Sequence, residues 1–310
     1  FDICRVESTP SVYHVGYLLG PRINAGGRVG KSSHGANLLL SKNPKNVFKI
    51  ASELDNFNKE RQFLENDVLN KILKEVENKL SDPVLVISGE NWHEGVIGIV
   101  ASKIKEKFNK PTIIISIDKN IGKGSARSVT GFDIGAVIIA AMQNNLLIKG
   151  GGHKMAGGFS IETKNLKKFK EFVIKKFKSV NRHLGDSMNI FLDSELSPAA
   201  LNLDFYKKID NLSPFGSGNP EPKFLLENLK VLNSKIIKDT HVKSTLIGRD
   251  GTAIKTMAFN AFESELGKYL TGGNKNTFNI AGKLSLNEWQ GKKNVEFIID
   301  DISVIKKHKN

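Results

Sequence analysis

Between Lys45 and Asp82 the chain has no glycine or proline. Its apolar residues recur there in three- and four-residue steps: Val47, Ile50, Ala51, Leu54, Phe57, Leu64, Val68, Ile72, Val76 and Leu80. That period predicts one or two amphipathic helices. A continuous helix would run roughly 55 Å at 1.5 Å per residue, long enough to bridge two domains. Residues 83–180 follow a different pattern. "PVLVIS", "PTIIISI", "GKGSARS" and "MAGGFSIE" read as strands, and "HEGVIGIVASKIKEKF", "FDIGAVIIAAMQNNLL" and "NLKKFKEFVIKKFKSV" as helices. Strands interleaved with helices predict an α/β domain.

Residues 188–305 change texture again. Apart from "NLDFYKKID" and "FESELGKYL" they read as strands: "KFLLENLKVLNSKIIK", "HVKSTLIG", "TAIKTMAFN", "TFNIAGKLSL" and "NVEFIIDDISVI". Five strands with a helix between the third and fourth is the order of an OB-type barrel. Such barrels bind single-stranded nucleic acid through a basic groove with stacking aromatics. Phe224, Phe259 and Trp289 are the candidate aromatics, and Lys243, Arg249, Lys255 and Lys283 the candidate cations. Residues 1–43 hold "VYHVGYLL" and "ANLLLS" on either side of a glycine-rich motif, too little apolar surface to fold alone.

Composition narrows the function classes. A chain of 310 residues with 39% hydrophobic and 25% charged residues is globular, with room for two or three domains. Its single cysteine, Cys4, excludes an internal disulfide. No apolar run approaches the ~20 residues that span a bilayer, and no signal-peptide pattern opens the chain; a cytoplasmic protein with no membrane partner is expected. The net charge of +14 favours a polyanionic partner. Lysines outnumber arginines 39 to 7, so an arginine marks a place where the planar fork matters. Arg22, Arg28 and Arg127 all lie in motifs rich in small residues.

The first of these motifs invites a wrong reading. "AGGRVGKSS", residues 25–33, fits a relaxed P-loop, with Ala25 at the first glycine position. A P-loop needs a buried strand running straight into the glycines. Here Gly20 to Asn24 intervene, and Pro21 lacks the N–H that a central strand requires. "GPRINAGGR" instead reads as a rigid glycine-containing loop that aims Arg22 and Arg28 at one anion, with Asn24 fixing the loop or donating a further bond. The alternative is a turn whose arginines pair with surface carboxylates. In "GKGSARS" the two-residue strand period puts Ser125 and Arg127 on one face. "KGGGHKMAGGF", residues 149–159, reads as a loop that lets a ligand approach the backbone, with His153 able to donate to a phosphate or leaving oxygen. In "NWHEG", His93 and Glu94 either start an anion-facing helix or simply cap it.

Taken in order, "GPRINAGGR", "NWHEGVIGIVASKIKEKFNKP", "GKGSARS", "GGGHKMAGGFSI" and "SPFGSGNPEPKF" resemble the RecJ single-strand-specific 5′→3′ DNA exonucleases of the DHH phosphoesterase superfamily. The resemblance covers nearly the whole chain. It implies four parts: residues 1–43 as the C-terminal remnant of a DHH catalytic domain, 44–82 as a connecting helix, 83–180 as a DHHA1 substrate-binding domain, and 188–305 as an OB-fold nucleic-acid-binding domain. Carried over by motif, Arg22 contacts backbone phosphate, and Ser125 and Arg127 hold the 5′ phosphate. His153, with Gly151 and Gly152, cradles the scissile region and is the catalytic candidate, while Asn24 and Arg28 touch ligand or brace the motif. The family implies a role in DNA repair and recombination, with single-stranded DNA as substrate and a single-strand-binding protein and a helicase as partners. It also implies Mn²⁺ or Mg²⁺, held by aspartates and an Asp-His-His run that this chain lacks. The expectation is therefore a C-terminal portion that binds substrate, carries no metal ligands and does not hydrolyse alone. The competing expectation is a non-catalytic single-strand binding module.

Overall fold

The computed structural model describes residues 1–7, 9–180, 189–272, 276–289 and 291–305. The chain forms two compact units, Phe1–Ser187 and Met188–Asn310. In the first, a π-helical stretch, His14–Leu19, runs into α1 (Gly20–Val29), followed by α2 (His34–Leu40) and α3 (Pro44–Val76). Then come β1 (Leu85–Glu90), α4 (Glu94–Phe108), β2 (Thr112–Asp118), β3 (Ile121–Arg127), α5 (Ile134–Gln143), β4 (Lys149–His153), β5 (Ala156–Glu162) and α6 (Leu166–Val180).

The long apolar period is thus one helix of 33 residues, opened by an Asn43 cap whose side chain accepts from the Lys45 and Asn46 amides. "GPRINAGGR" is α1, a helix and not a loop. Gly26 survives in a helix because packing wants it small. A Cβ on Gly26 would sit 2.9 Å from the Lys31 carbonyl and 3.1 Å from Leu54 of α3. Pro21 lies in its first turn, where the preceding π-helical turn absorbs the missing donor. A helix where a P-loop needs a strand removes the nucleotide-loop reading.

The five strands order as β1-β2-β3-β5-β4, with β1 and β2 parallel and the remaining neighbours antiparallel. Helices cover both faces of the β1–β2 end, which is why those strands read as unbroken apolar runs. Ile113 and Ile115 enter one core with α5 and α6, whereas Leu85, Ile87 and Ile114 enter another with α3 and α4. Residues 149–153, expected as a loop, form a strand paired with β5. Pairing binds their backbone amides and carbonyls into a ladder, so the glycines lie in a sheet floor.

The second unit contains β6 (Ser194–Leu196), α7 (Leu203–Asp210), β7 (Phe224–Ile237), β8 (His241–Ile247), β9 (Ala253–Ala258), α8 (Glu265–Thr271), β10 (Thr277–Trp289) and β11 (Lys292–Ile305). Antiparallel β7–β8–β9, the β9–β11 pairing, β10–β11 and the closing β10–β7 pairing make a five-stranded barrel, with short β6 added alongside β7. The five strands and intervening helix match the sequence pattern; β6 was too short to announce itself. Phe278 and Phe297, both fully buried, anchor the barrel core. Phe224, a candidate stacking aromatic, is 4% exposed and belongs to that core. It alternates inward with Leu226 on β7, so it cannot offer a ring face to a base.

Candidate phosphate-binding site

Helices α5 and α6 cover one face of the β3–β5–β4 end, and the opposite face, beyond the reach of α3 and α4, stays open. Strand pairing lays its residues out in three rows. Arg127 aligns with Ala156 and His153, Ser125 with Gly158 and Gly151, and Lys123 with Ser160 and Lys149. Two-residue alternation turns all nine residues to the same face, seven of them with side chains. The middle row has almost no side chains. A Cβ on Gly151 would meet nothing within 4 Å, and one on Gly158 only a carbonyl at 3.8 Å. Internal packing does not demand glycine there; open floor is what glycine provides.

Gly152 differs from its neighbour. Its Cβ would lie 2.5 Å from the Ala156 carbonyl and 2.6 Å from Gly157 Cα, on the opposite side of the ladder. It lets β4 and β5 approach closely but does not line the floor. Gly150 likewise faces inward, where a Cβ would meet Ile138 at 2.8 Å.

Helix α4 borders the floor. Its residues Glu94, Gly98 and Ser102, one turn apart, run beside Lys123, Ser125 and Arg127 of β3. A Cβ on Gly98 would stand 3.0 Å from both Arg127 Nη2 and Ser125 Oγ, so Gly98 makes room for the pair. Arg127 Nε donates to Ser102 Oγ at 3.1 Å, and Nη1 donates to Ser125 Oγ at 3.1 Å and to the Ala126 carbonyl at 2.8 Å. Ser102 and Gly98 escaped the sequence reading. Their i, i+4 spacing in a helix passing over a polar strand was the available signal. His93 caps α4, its Nδ1 accepting from the Gly95 amide at 3.1 Å, which settles that motif as a cap.

Arginine supply from α1 divides in two. Arg22 Nε donates to Asp55 of α3 at 2.8 Å, and Nη1 to the Leu18 carbonyl at 2.9 Å. Lys59 also reaches Asp55, at 2.8 Å. Burial of Asp55 works to raise its pKa, but the hydrogen bonds and charges of Lys59 and Arg22 outweigh it and leave the carboxyl below its ordinary value. Arg22 therefore takes the ion-paired alternative, here with an inter-helix partner. Arg28 instead leans on α4, Nη1 donating to the Gly95 carbonyl at 3.2 Å. The approach is tight: a Cβ on Gly95 would come within 2.2 Å of the Arg28 carbonyl. Asn24, four residues before Arg28 and so on the same side of α1, is exposed with no hydrogen-bond partner among the described residues.

The charge arrangement is the site's main chemical fact. Burial, and then the nearby Arg28 charge, push the Arg127 pKa down from its ordinary value. Among the described residues neither Arg28 nor Arg127 has a carboxylate partner. Two guanidinium groups close enough to repel, beside a serine pair and an empty glycine floor, are organised for a bound anion. His153 sits on the row of Arg127 with its side chain exposed. No three His, Cys, Asp or Glu side chains converge among the described residues. Nor is any described helix long and apolar enough to cross a membrane.

The second unit offers weaker claims. Lys243 donates to the buried Glu296 at 2.9 Å, Lys283 pairs with Glu221, and Arg249 donates to Asn228 at 2.6 Å. Phe259 is exposed, in edge contact with His241 at 5.3 Å. The Trp289 side chain lies outside the described residues.

Known proteins resemble this chain in sequence and fold. The DHHA1 domain family matches residues 81–179, and the RecJ OB domain family matches residues 192–301. The chain is 30% identical over 305 residues to the single-stranded-DNA-specific exonuclease RecJ of Bacillus subtilis, covering 94% of this chain and 37% of that protein. For the Escherichia coli enzyme the figures are 31% over 301 residues, 93% and 51%. The chain thus spans about half or less of these relatives. A crystal structure of RecJ with Mg²⁺ from Thermus thermophilus superposes with a TM-score of 0.80 at 27% identity, over 97% of this chain and 45% of that one. A DHHA1 domain followed by a RecJ OB domain, with likeness to RecJ along almost its whole length, places this chain in the RecJ family.

Proposed function

We infer that this chain supplies the substrate-reading part of a 5′→3′ exonuclease specific for single-stranded DNA, acting in repair and recombination. The observation that carries the reading is that Arg28 and Arg127 meet successive turns of α4, at Gly95 and Gly98, with no carboxylate partner for either among the described residues. A terminal phosphate there would take the Arg127 fork and the Ser125 hydroxyl, with Arg28 adding charge. Ser102 and the Ala126 carbonyl hold Arg127 in place before the ligand arrives, so little side-chain freedom is lost on binding. His153 stands across the floor to donate to a phosphate oxygen, and Gly151 keeps the approach clear. Gly152 acts through the sheet, and Arg22 braces α1 against α3.

Hydrolysis in this family uses Mn²⁺ or Mg²⁺ to generate the nucleophile. On this reading those ions are held by residues other than the ones named above. The arginine arrangement equally supports a second reading, in which this chain alone binds single strands without cutting them. A cytoplasmic setting, with a single-strand-binding protein and a helicase as partners, follows from the family resemblance.

The test is binding and turnover of 5′-phosphorylated and 5′-hydroxyl oligonucleotides with and without Mn²⁺. The expected result is tight, salt-sensitive binding, preference for the 5′ phosphate, and no nucleotide release. Equal binding of the two ends would remove the 5′-phosphate assignment. Release above the metal-free control would show that the chain carries its own metal site.

A further inference from the structure

The third row of the open face has no role in the reading above. Lys123 and Lys149 flank Ser160 there and line a cleft of about 590 Å³ with Glu94, Ser125 and Gly158. From Lys123 to Arg127 is four strand residues, roughly 13 Å at 3.3 Å each. One phosphate cannot touch both rows. The floor between them is Ser125, Gly158 and Gly151, which offers room and no charge.

The lysine row is also only partly neutralised. Lys149 has no carboxylate partner among the described residues. Lys123 pairs with Glu94 at 2.5 Å, both side chains about half exposed at 53% and 52%. A pair that exposed is held weakly and exchanges readily for a better anion. Glu94 is the first residue of α4, directly after the His93 cap and the buried Trp92 that packs on Gly89. Its carboxylate contacts the Lys123 ammonium group and lines the same cleft.

We propose that Lys123 and Lys149 form a second phosphate subsite for the same strand, with Glu94 as an internal stand-in that the strand must displace. This rests on the reading of Arg127 as the first subsite. The device penalises ligands with a single phosphate group, which cannot reach the lysines and leave Glu94 in place. Strands with a further phosphate gain two cations and release one carboxylate to water. Glu94 thus sets a length threshold on what the face retains.

The experiment is fluorescence anisotropy of the full chain in metal-free buffer, with 5′-phosphorylated thymidine ligands of one to four nucleotides. Lys149→Ala is expected to weaken the three- and four-nucleotide ligands by about 3- to 10-fold and lower the salt slope by about one. Glu94→Gln is expected to tighten the same ligands by about 3-fold, by freeing Lys123. Neither change should move the mononucleotide. Arg127→Ala, run alongside, should weaken every length. If Arg127→Ala acts but both other variants leave the length dependence unchanged, or act equally at all lengths, the second subsite is overturned. If Arg127→Ala also changes nothing, the reading of the first subsite fails with it.

Discussion

The open sheet face of the first unit and the barrel of the second are both rich in lysine. On each, some cations are paired while others, such as Lys255 on the barrel, have no carboxylate partner among the described residues. On the barrel, Lys243 is held by Glu296, Lys283 by Glu221 and Lys223 by Asp300. On the sheet, Arg127 and Lys149 have no such partners among the described residues, nor has Arg28 of the adjoining α1, and Lys123 is paired. Glycine behaves similarly. Gly282 of β10 leaves no room for a Cβ, which would sit 2.0 Å from the Ile298 carbonyl, whereas Gly151 faces empty space. Basic composition favours a polyanionic partner; cations without carboxylates beside unfilled glycine mark where we propose that it binds.

The largest break in that contrast should come from Arg127→Ala. Loss of a charge-assisted contact of about 1.5–3 kcal/mol predicts roughly 10- to 100-fold weaker binding of 5′-phosphorylated strands. Arg127→Lys should restore only part of it, because a point charge cannot reproduce the fork. Equal losses for 5′-phosphate and 5′-hydroxyl ends, measured by anisotropy, would reduce Arg127 to a general backbone contact.

Next in size is a glycine pair. Gly150→Ala pushes a methyl into Ile138 and should cost about 1–3 kcal/mol of stability by overpacking. Gly151→Ala, one residue on, meets no atom and should leave the melting temperature unchanged while weakening strand binding. A stability loss at Gly151 comparable to that at Gly150 would contradict the open floor.

Lys243→Ala tests the barrel. It should cost about 1–3 kcal/mol by removing a partner of the buried Glu296, with little effect on strand affinity. A large affinity loss without destabilisation would make the barrel lysine a DNA contact after all. The smallest effect is in acid. Burial works to raise the Glu296 pKa, but hydrogen bonds from Lys243 and Asn287, and the charges of Lys243 and Lys255, hold it below its ordinary value. A depressed folded pKa means stability present above the unfolded value of about 4 and lost as pH falls through the folded one. In Lys243→Ala that acid-side slope should flatten, as urea titrations between pH 3 and 6 would show.

Much of this was legible from residues alone. The gapless period from Lys45 to Asp82 announced α3, and the apolar runs announced β1 and β2. "GKGSARS" gave the shared face of Ser125 and Arg127. Two motif readings misplaced backbone: "GPRINAGGR" is a helix and "KGGGH" a strand. In both cases glycine was taken as a loop signal, and tertiary packing overrode it. Gly26 is demanded by Leu54, and Gly152 by the backbone of β5.

By itself, the sequence determined the order of elements, the basic character and the motifs of the family, because periodicity and charge are local properties of the chain. Only the folded structure decided which of three similar arginines is free. Arg22 lies in the same motif as Arg28, yet an aspartate 33 residues away takes it. The difference between Gly151 and Gly152 was decided there too, since adjacent residues in a strand face opposite sides and only the packed sheet shows which side is filled. Pairing and vacancy are relations between distant residues, and no local pattern records them.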